Sequence, residues 1–200
     1  MAAVPVPHPG RDGHRQGCGA ARDPHRRRPT GDRGRPRLCH SRRSGADIVE
    51  QLTLIAGAAR AAVAPALGGA LTGWTVDGAP MLRTASAEAI AARDPLGMAS
   101  FPLVPFSNRI ADARFEWAGE HHAIAPNFAP EPHAIHGIGW TSAWEVREAR
   151  DDRVVLTLDH AGDARWPFAF AAEQIVALTP DTLTVTLTAR NLEAFDAPLA

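Results

Sequence analysis

The clearest periodic signal lies in the last third of the chain, where apolar and polar residues alternate. In residues 183–189, Leu, Val, Leu and Ala alternate with three threonines, which is typical of a strand with one buried and one wet face. Residues 154–158 and 168–178 carry a similar alternation, which Gln174 interrupts in the second stretch. The Pro-Asp pair at 180–181 predicts a turn. This region therefore predicts three successive strands.

Shorter apolar stretches earlier in the chain predict further strands. Asp77-Gly78 and residues 118–120 have the composition of tight hairpin turns. A single short helix is predicted over residues 87–93, with Ser86 as its N-cap. Many short strands with closely spaced turns predict an all-β fold, an antiparallel β-sandwich or barrel. The additional strand-like stretches are residues 48–54, 60–64, 71–76, 115–117 and 122–124.

The first 46 residues differ in composition from the rest of the chain. Residues 1–45 contain 11 Arg and 3 Asp, whereas the remainder carries 10 Arg against 19 acidic residues, so a basic arm precedes an acidic body. Because the arm is rich in Pro, Gly and Arg and lacks apolar periodicity, we predict that residues 1–46 are disordered. Arginine clusters at 26–28 and 42–43 raise nucleic-acid binding as an alternative, but no Phe, Trp or Tyr accompanies them. We expect no nucleic-acid partner and assign residues 47–200 to one domain.

Missing residue types exclude several classes of enzyme. All 21 basic residues are Arg and the chain has no Tyr, so phosphate-loop and Schiff-base enzymes, which need Lys, are excluded. Cys18 and Cys39 lack metal-ligand spacing, which favours a reducing compartment. No run of about 18 apolar residues occurs, and residues 1–5 do not begin a secretory signal. We expect a cytoplasmic protein that does not enter a membrane.

Two motifs suggest a cofactor or a metal, and their context argues against both. Residues 68–73 resemble a dinucleotide fingerprint, but a strand-like segment follows them where a helix is needed. The His-x-x-His sequence at 133–136 follows Pro132 and has no evident third ligand. We therefore expect no cofactor and no metal. His160 and the His pair at 121–122 lie beside predicted turns, and we expect their side chains to be solvated.

Residues 101–110 end in polar side chains that packing does not explain. Asn108 and Arg109 follow a run of mostly apolar residues. The guanidinium of an Arg is a rigid, planar set of donors that suits hydroxyl groups or a carboxylate. The alternative is a structural ion pair between Arg109 and an acidic residue such as Asp112. The residues alone leave both interpretations open.

A second such segment covers residues 133–140. His136 precedes two spaced glycines, and Trp140 and Trp144 follow. A sugar pocket uses such parts, namely a closely approaching backbone, a hydrogen-bonding imidazole and a flat apolar face. The alternative is a core Trp beside a loop histidine.

Taken together, these segments resemble the aldose 1-epimerase (galactose mutarotase) family in order and spacing. The resemblance implies a large antiparallel β-sandwich with the sugar in an open cleft. It also implies cofactor-free interconversion of the α and β anomers of a free aldose. In that family a Glu takes the proton of the anomeric hydroxyl while a His protonates the ring oxygen. The segments that carry the resemblance are residues 64–69, 101–110, 115–119, 132–140, 144–146 and 166–168.

The resemblance also implies roles for individual residues. Asn108 and Arg109 correspond to the pair that holds sugar hydroxyls, and His136 corresponds to the first of two active-site histidines. The family's acid His and base Glu follow the position of Asn191-Leu192, and no motif assigns them within these 200 residues. We therefore expect a truncated, incomplete sandwich with exposed strand edges and little or no activity. A noncatalytic carbohydrate-binding sandwich is the alternative, and the aldose and the oligomeric state stay open.

Overall fold

The computed structural model describes residues 49–199. The predicted basic arm of residues 1–46, its arginine clusters and both cysteines lie outside the described residues. The first sheet is a four-stranded antiparallel meander in the order β1-β2-β3-β4. Asp77 and Gly78, both at positive φ, form the predicted turn between its last two strands. The strands are β1 (Leu52–Ala56), β2 (Ala59–Ala64), β3 (Ala70–Val76) and β4 (Ala79–Leu82).

A short helix and two small ladders connect the first sheet to the second. Helix α1 (Ala87–Ala91) begins as predicted, with the Ser86 hydroxyl accepting a hydrogen bond from the amide of Ala89 at 3.1 Å. The antiparallel pairs are β5 with β8 and β6 with β7, and the second pair is the hairpin predicted around residues 118–120. Their bounds are β5 (Arg109–Ile110), β6 (Arg114–Trp117), β7 (Glu120–Ala123) and β8 (Ala134–Ile135).

The second sheet is antiparallel in the order β12-β11-β10-β9. Strand β11 shows the strict alternation expected from its sequence, with every second residue buried from Phe170 to Leu178. Gln174, the polar residue on that buried face, donates from Nε2 to the Gly69 carbonyl at 2.7 Å, which satisfies it inside the core. The strands are β9 (Glu145–Arg150), β10 (Arg153–His160), β11 (Phe170–Leu178) and β12 (Leu183–Asn191).

The core lies where the two sheets meet, because β1 packs against β10 and β11 and β2 packs against β11. This arrangement makes the described residues an antiparallel β-sandwich, as predicted. The fully buried side chains at the centre come from both sheets: Leu54, Val63, Leu156, Phe170 and Val176. No helix among residues 49–199 is long and apolar enough to cross a membrane.

Three burial predictions differ from the structure. On β12 the apolar residues were expected to be buried, yet Val185 is 45% exposed and Leu187 is 39% exposed. Strand β12 is the edge of its sheet among the described residues, and β1 and β2 pack over β10 and β11 instead. His160 was expected in solvent, but it is buried and its Nε2 donates to the Trp166 carbonyl at 2.7 Å. His121 is exposed as expected, whereas His122 is partly buried and stacks on an aromatic ring.

Candidate functional site: an Asn-Arg pair beside a half-buried histidine

The β5–β8 ladder brings together the two segments that the sequence analysis singled out. Arg109 pairs directly with Ile135 across the ladder, and the backbone amide of His136 donates to the carbonyl of Asn108 at 2.9 Å. Asn108 and His136 both adopt left-handed backbone conformations, with φ values of 57° and 59°. Such conformations are uncommon outside glycine, and five other non-glycine residues among those described also adopt them. The three predicted site residues therefore lie at one end of one small ladder.

The loop after His136 is fixed against the strand-like segment before Asn108. The carbonyl of Val104 accepts hydrogen bonds from the amides of Ile138 and Gly139, each at 2.9 Å. Gly137 has a φ of 66°, and a Cβ at this position would lie 2.2 Å from the Val104 carbonyl oxygen. Only glycine permits this close approach. The glycine that follows His136 is thus required by the backbone packing of the site.

Asn127 holds the His136 segment from the opposite side. Its Nδ2 donates to the carbonyls of Ile135 at 2.7 Å and Gly137 at 3.0 Å. Its Oδ1 accepts from the amide of Ile135 at 2.8 Å. One side chain therefore anchors the residues on both sides of His136, which fixes the backbone that carries the imidazole.

Arg109 forms a bidentate ion pair with Glu131. Its Nε lies 2.8 Å from Oε2 of Glu131, and an Nη2 donor lies 3.1 Å from Oε1. These hydrogen bonds lower the pKa of Glu131 and raise that of Arg109. Arg109 therefore forms an ion pair with an acidic residue, as one of the two interpretations predicted. The partner is Glu131 and not Asp112, so the suggested residue is wrong. Asp112 instead contacts His133, because its backbone amide donates to Nδ1 of His133 at 3.0 Å.

Two of the five N–H donors of Arg109 are used in the pair with Glu131. The Arg109 side chain is 48% exposed and that of Glu131 is 34% exposed. The ion pair therefore orients the guanidinium at the surface while leaving three donors for a bound molecule. An ion pair and a ligand-binding role for Arg109 are compatible in this geometry.

His136 is partly buried among aromatic rings. The ring centroid of Phe101 lies 6.3 Å from that of His136, and Trp140 meets the imidazole edge-on at 5.9 Å. Burial, and then the positive charge of Arg109, lower the pKa of His136 below its ordinary value of 6.5. The imidazole is consequently neutral at pH 7, and a neutral imidazole offers one donor and one acceptor.

The Nδ1 atom of His136 is buried and has no hydrogen-bond partner among the described residues. Buried polar atoms are nearly always paired, so an unpaired buried nitrogen is unusual in a folded protein. The side chains of His136, Asn108 and Arg109 offer both hydrogen-bond donors and acceptors. A ligand with several hydroxyl groups is therefore chemically suited to this arrangement.

The tryptophans of this segment belong to the core. Trp140 is 3% exposed and donates from Nε1 to the Gly137 carbonyl at 3.2 Å, and Trp144 is 4% exposed and donates to Gly139 at 2.9 Å. Both indoles are therefore core residues, as the alternative interpretation predicted. Neither offers an accessible flat face to a sugar. Phe101, which is only partly buried, is the aromatic ring beside His136 that keeps some solvent contact.

Residues 49–199 contain no cluster of three or more His, Cys, Asp or Glu side chains that could hold a metal ion. His133 faces the amide of Asp112, and His136 lies against Phe101 and Trp140. The residues of the His-x-x-His sequence thus have different surroundings and different partners.

Comparison with known proteins decides the family. The sequence model of the family described as aldose 1-epimerase matches residues 50–200. The chain belongs to the aldose 1-epimerase family. The match includes Asn108, Arg109 and His136 together with the whole β-sandwich. Membership confirms the resemblance found in the sequence.

Individual members support this assignment. The uncharacterized protein YphB of Escherichia coli (strain K12) is 34% identical over 131 residues, which are 66% of this chain and 43% of that protein. A crystal structure of a candidate aldose 1-epimerase from Escherichia coli K12 has a TM-score of 0.65 at 32% identity, covering 72% of this chain and 47% of the other. Galactose 1-epimerase from Lactobacillus acidophilus NCFM, at 23% identity and a TM-score of 0.56, shares the fold over 70% of this chain and 43% of its own. The chain thus spans somewhat less than half the length of these relatives.

Two residues at the site were not found from the sequence. Asn127 sits in a loop between prolines and carries no local signal that its side chain would reach β8. Glu131 carries no such signal either, because nothing in a single sequence pairs it with Arg109. Both contacts depend on how two loops come together, which local patterns do not encode.

Proposed function

We propose that Asn108, Arg109 and His136 bind a free aldose as part of an aldose 1-epimerase site, whose reaction interconverts the α and β anomers. The observation that carries this proposal is the hydrogen bond from the His136 amide to the Asn108 carbonyl, 2.9 Å long. It joins two segments that are far apart in the chain at the point where Arg109 is also held. The family to which the chain belongs supports the choice of a sugar as ligand.

The chemistry of the three side chains suits a neutral sugar. The exposed amide of Asn108 both donates and accepts, the neutral imidazole does the same, and Arg109 adds three remaining N–H donors. Hydroxyl groups can donate and accept, so they can satisfy all of these groups at once. Because Glu131 already neutralises Arg109, a free aldose fits this charge balance better than a sugar phosphate.

We assign binding and orientation, rather than proton transfer, to the described residues. The resemblance implies an acid His and a base Glu for ring opening, and no motif assigns either one within these 200 residues. Because the chain spans 43% of YphB and 47% of the structurally similar Escherichia coli protein, we propose sugar binding without turnover for these 200 residues. We expect the 200-residue chain to bind hexoses and to leave mutarotation at its uncatalysed rate. A noncatalytic carbohydrate-binding domain would give the same two results, hexose binding and no acceleration of mutarotation.

Polarimetry and calorimetry together test the proposal. The rate of mutarotation of α-D-galactose and of α-D-glucose is measured with and without the 200-residue chain, and binding of both sugars is measured by titration calorimetry. We expect binding that Asn108→Ala and Arg109→Gln weaken about tenfold, without acceleration of mutarotation.

Arg165→Gln supplies the control, since Arg165 also donates from Nε and Nη2 to a carboxylate, in this case to the single oxygen Oδ2 of Asp163. An equal loss of binding in Arg165→Gln contradicts the assigned site. Absence of hexose binding by the intact chain contradicts sugar binding, and substantial acceleration contradicts the division of roles.

A further inference from the structure

A concave surface lies on the β6–β7 hairpin, apart from the β5–β8 ladder. It is a groove of about 670 Å³ between the hairpin and the segment that follows β12. The indole Nε1 of Trp117 donates to the backbone carbonyl of Asp196 at 3.0 Å, which ties the two walls together. We call the surface the hairpin groove. It contains none of the three proposed sugar-binding residues.

Aromatic rings provide most of the apolar surface of the hairpin groove. Phe168 is 6% exposed and forms its floor. Phe195 meets this ring edge-on with centroids 6.3 Å apart, and His122 meets it edge-on at 5.1 Å. Trp117 and Phe195 are 36% and 58% exposed. Two aromatic side chains therefore offer accessible π-surface on opposite walls.

The charge of the hairpin groove is acidic. Glu120 and Asp196 line it, and no Arg does so among the residues that the structure describes, while the whole chain contains no Lys. Two carboxylates beside two exposed aromatic faces disfavour an anionic ligand. They favour a cation, because aromatic faces and carboxylates both attract positive charge.

We propose that the hairpin groove binds a small organic cation, an alkylated ammonium with an apolar body. The ammonium group would lie against Trp117 and Phe195 with Glu120 and Asp196 close to it, and the apolar part would cover Phe168. An alkylated ammonium is less strongly hydrated than a metal ion or a simple ammonium, so it loses less on entering an apolar groove. This site is independent of the proposed function and uses different residues.

Titration calorimetry with choline at pH 8, where histidine is ordinarily neutral, tests the proposal. The neutral isostere 3,3-dimethylbutan-1-ol serves as the comparison ligand, because it has the same shape without the charge. We expect choline to bind in the millimolar range and the isostere to bind at least about tenfold more weakly. The double variant Glu120→Gln, Asp196→Asn should weaken choline about tenfold, and Phe195→Ala about threefold. Asp196→Asn leaves the backbone bond to Trp117 intact.

A matched double variant, Glu116→Gln with Asp159→Asn, removes two exposed carboxylates outside the groove and should leave choline binding unchanged. Equal binding of choline and its isostere would overturn the proposal in favour of simple apolar adsorption. An equal loss in the control variant would assign the effect to overall charge. No binding by the intact chain at tens of millimolar choline would also overturn it. None of these results changes the expectation for hexose binding, which Arg109→Gln reports separately.

Discussion

His136 and Asn108 share a backbone hydrogen bond of 2.9 Å, and both residues lie in the left-handed region of φ. The position of the imidazole is therefore set by the same contact that presents the Asn108-Arg109 pair. The strain of two such residues is offset by neighbouring contacts that hold each segment in place. These contacts can be removed one at a time, and each removal has a defined expected outcome.

Gly137→Ala should be severely destabilising. Its Cβ would lie 2.2 Å from the Val104 carbonyl oxygen at a φ of 66°, so the backbone of the site has to move. We expect a loss of at least about 3 kcal/mol in the free energy of unfolding. Gly78→Ala is the matched control, because Gly78 has a φ of 79° with nothing within 4 Å of a Cβ. It should cost only about 1 kcal/mol. Similar losses in urea titrations of the two variants would contradict the close-packing argument.

Asn127→Ala should affect both stability and sugar binding. It removes three hydrogen bonds around His136 and leaves backbone groups without partners. We expect a loss of about 2 kcal/mol or more in unfolding free energy and about tenfold weaker hexose binding. Asn191→Ala is a suitable comparison, since Asn191 also makes two side-chain bonds to backbone, but in the segment after β12. Unchanged hexose affinity in a folded Asn127→Ala protein would refute the positioning role.

Glu131→Gln separates the orienting contribution of the ion pair from the binding contribution of Arg109. Both side chains are at least one third exposed, so the pair should contribute less than about 1 kcal/mol to stability. Because Glu131 orients the guanidinium, we expect Glu131→Gln to weaken hexose binding about threefold and Arg109→Gln about tenfold. Calorimetric titrations on both variants provide the measurement. A larger effect of Glu131→Gln than of Arg109→Gln is incompatible with this assignment.

The imidazole of His136 should titrate below 6.5. Burial is the main cause of the lowered pKa and Arg109 the second, so Arg109→Gln should raise the pKa without restoring it fully. The unfolded chain then binds more protons than the folded one between the folded pKa and 6.5. Stability is therefore complete above pH 6.5 and falls as the pH drops through this window. NMR titration of the histidine ring protons gives the pKa, and Arg165→Gln should leave it unchanged. A pKa at or above 6.5 would show that the ring is not desolvated.

Local sequence patterns predicted much of the sandwich because local rules decide those elements. The alternation in β11 is imposed by burial against a second sheet, Asp77-Gly78 fits a turn that needs positive φ, and Ser86 supplies the helix cap. The exposure of Val185 was not predictable in this way. Alternation shows which face of a strand is apolar, but not whether another sheet covers it.

The same distinction between local sequence signals and tertiary packing applies to the candidate site. Asn108, Arg109 and His136 could be proposed from the sequence because they stand in recognisable motifs, and the order of those motifs identified the family. The partners of those residues were not found. Glu131 and Asn127 reach the site through long-range loop packing. His160 is buried by tertiary packing, and its Nε2 donates a hydrogen bond to the Trp166 carbonyl. Hydrophobic periodicity and motif spacing predict neither these loop contacts nor the burial of His160.

The central claim is that Asn108, Arg109 and His136 bind one monosaccharide. Two-dimensional NMR of the labelled chain during titration with D-galactose tests it most directly, because each residue reports separately. The account predicts saturating shift changes in the backbone amides of Asn108, Arg109 and His136 and in the His136 ring protons, with little change on β12. Shift changes confined to other residues, or no saturating change at all, would contradict it.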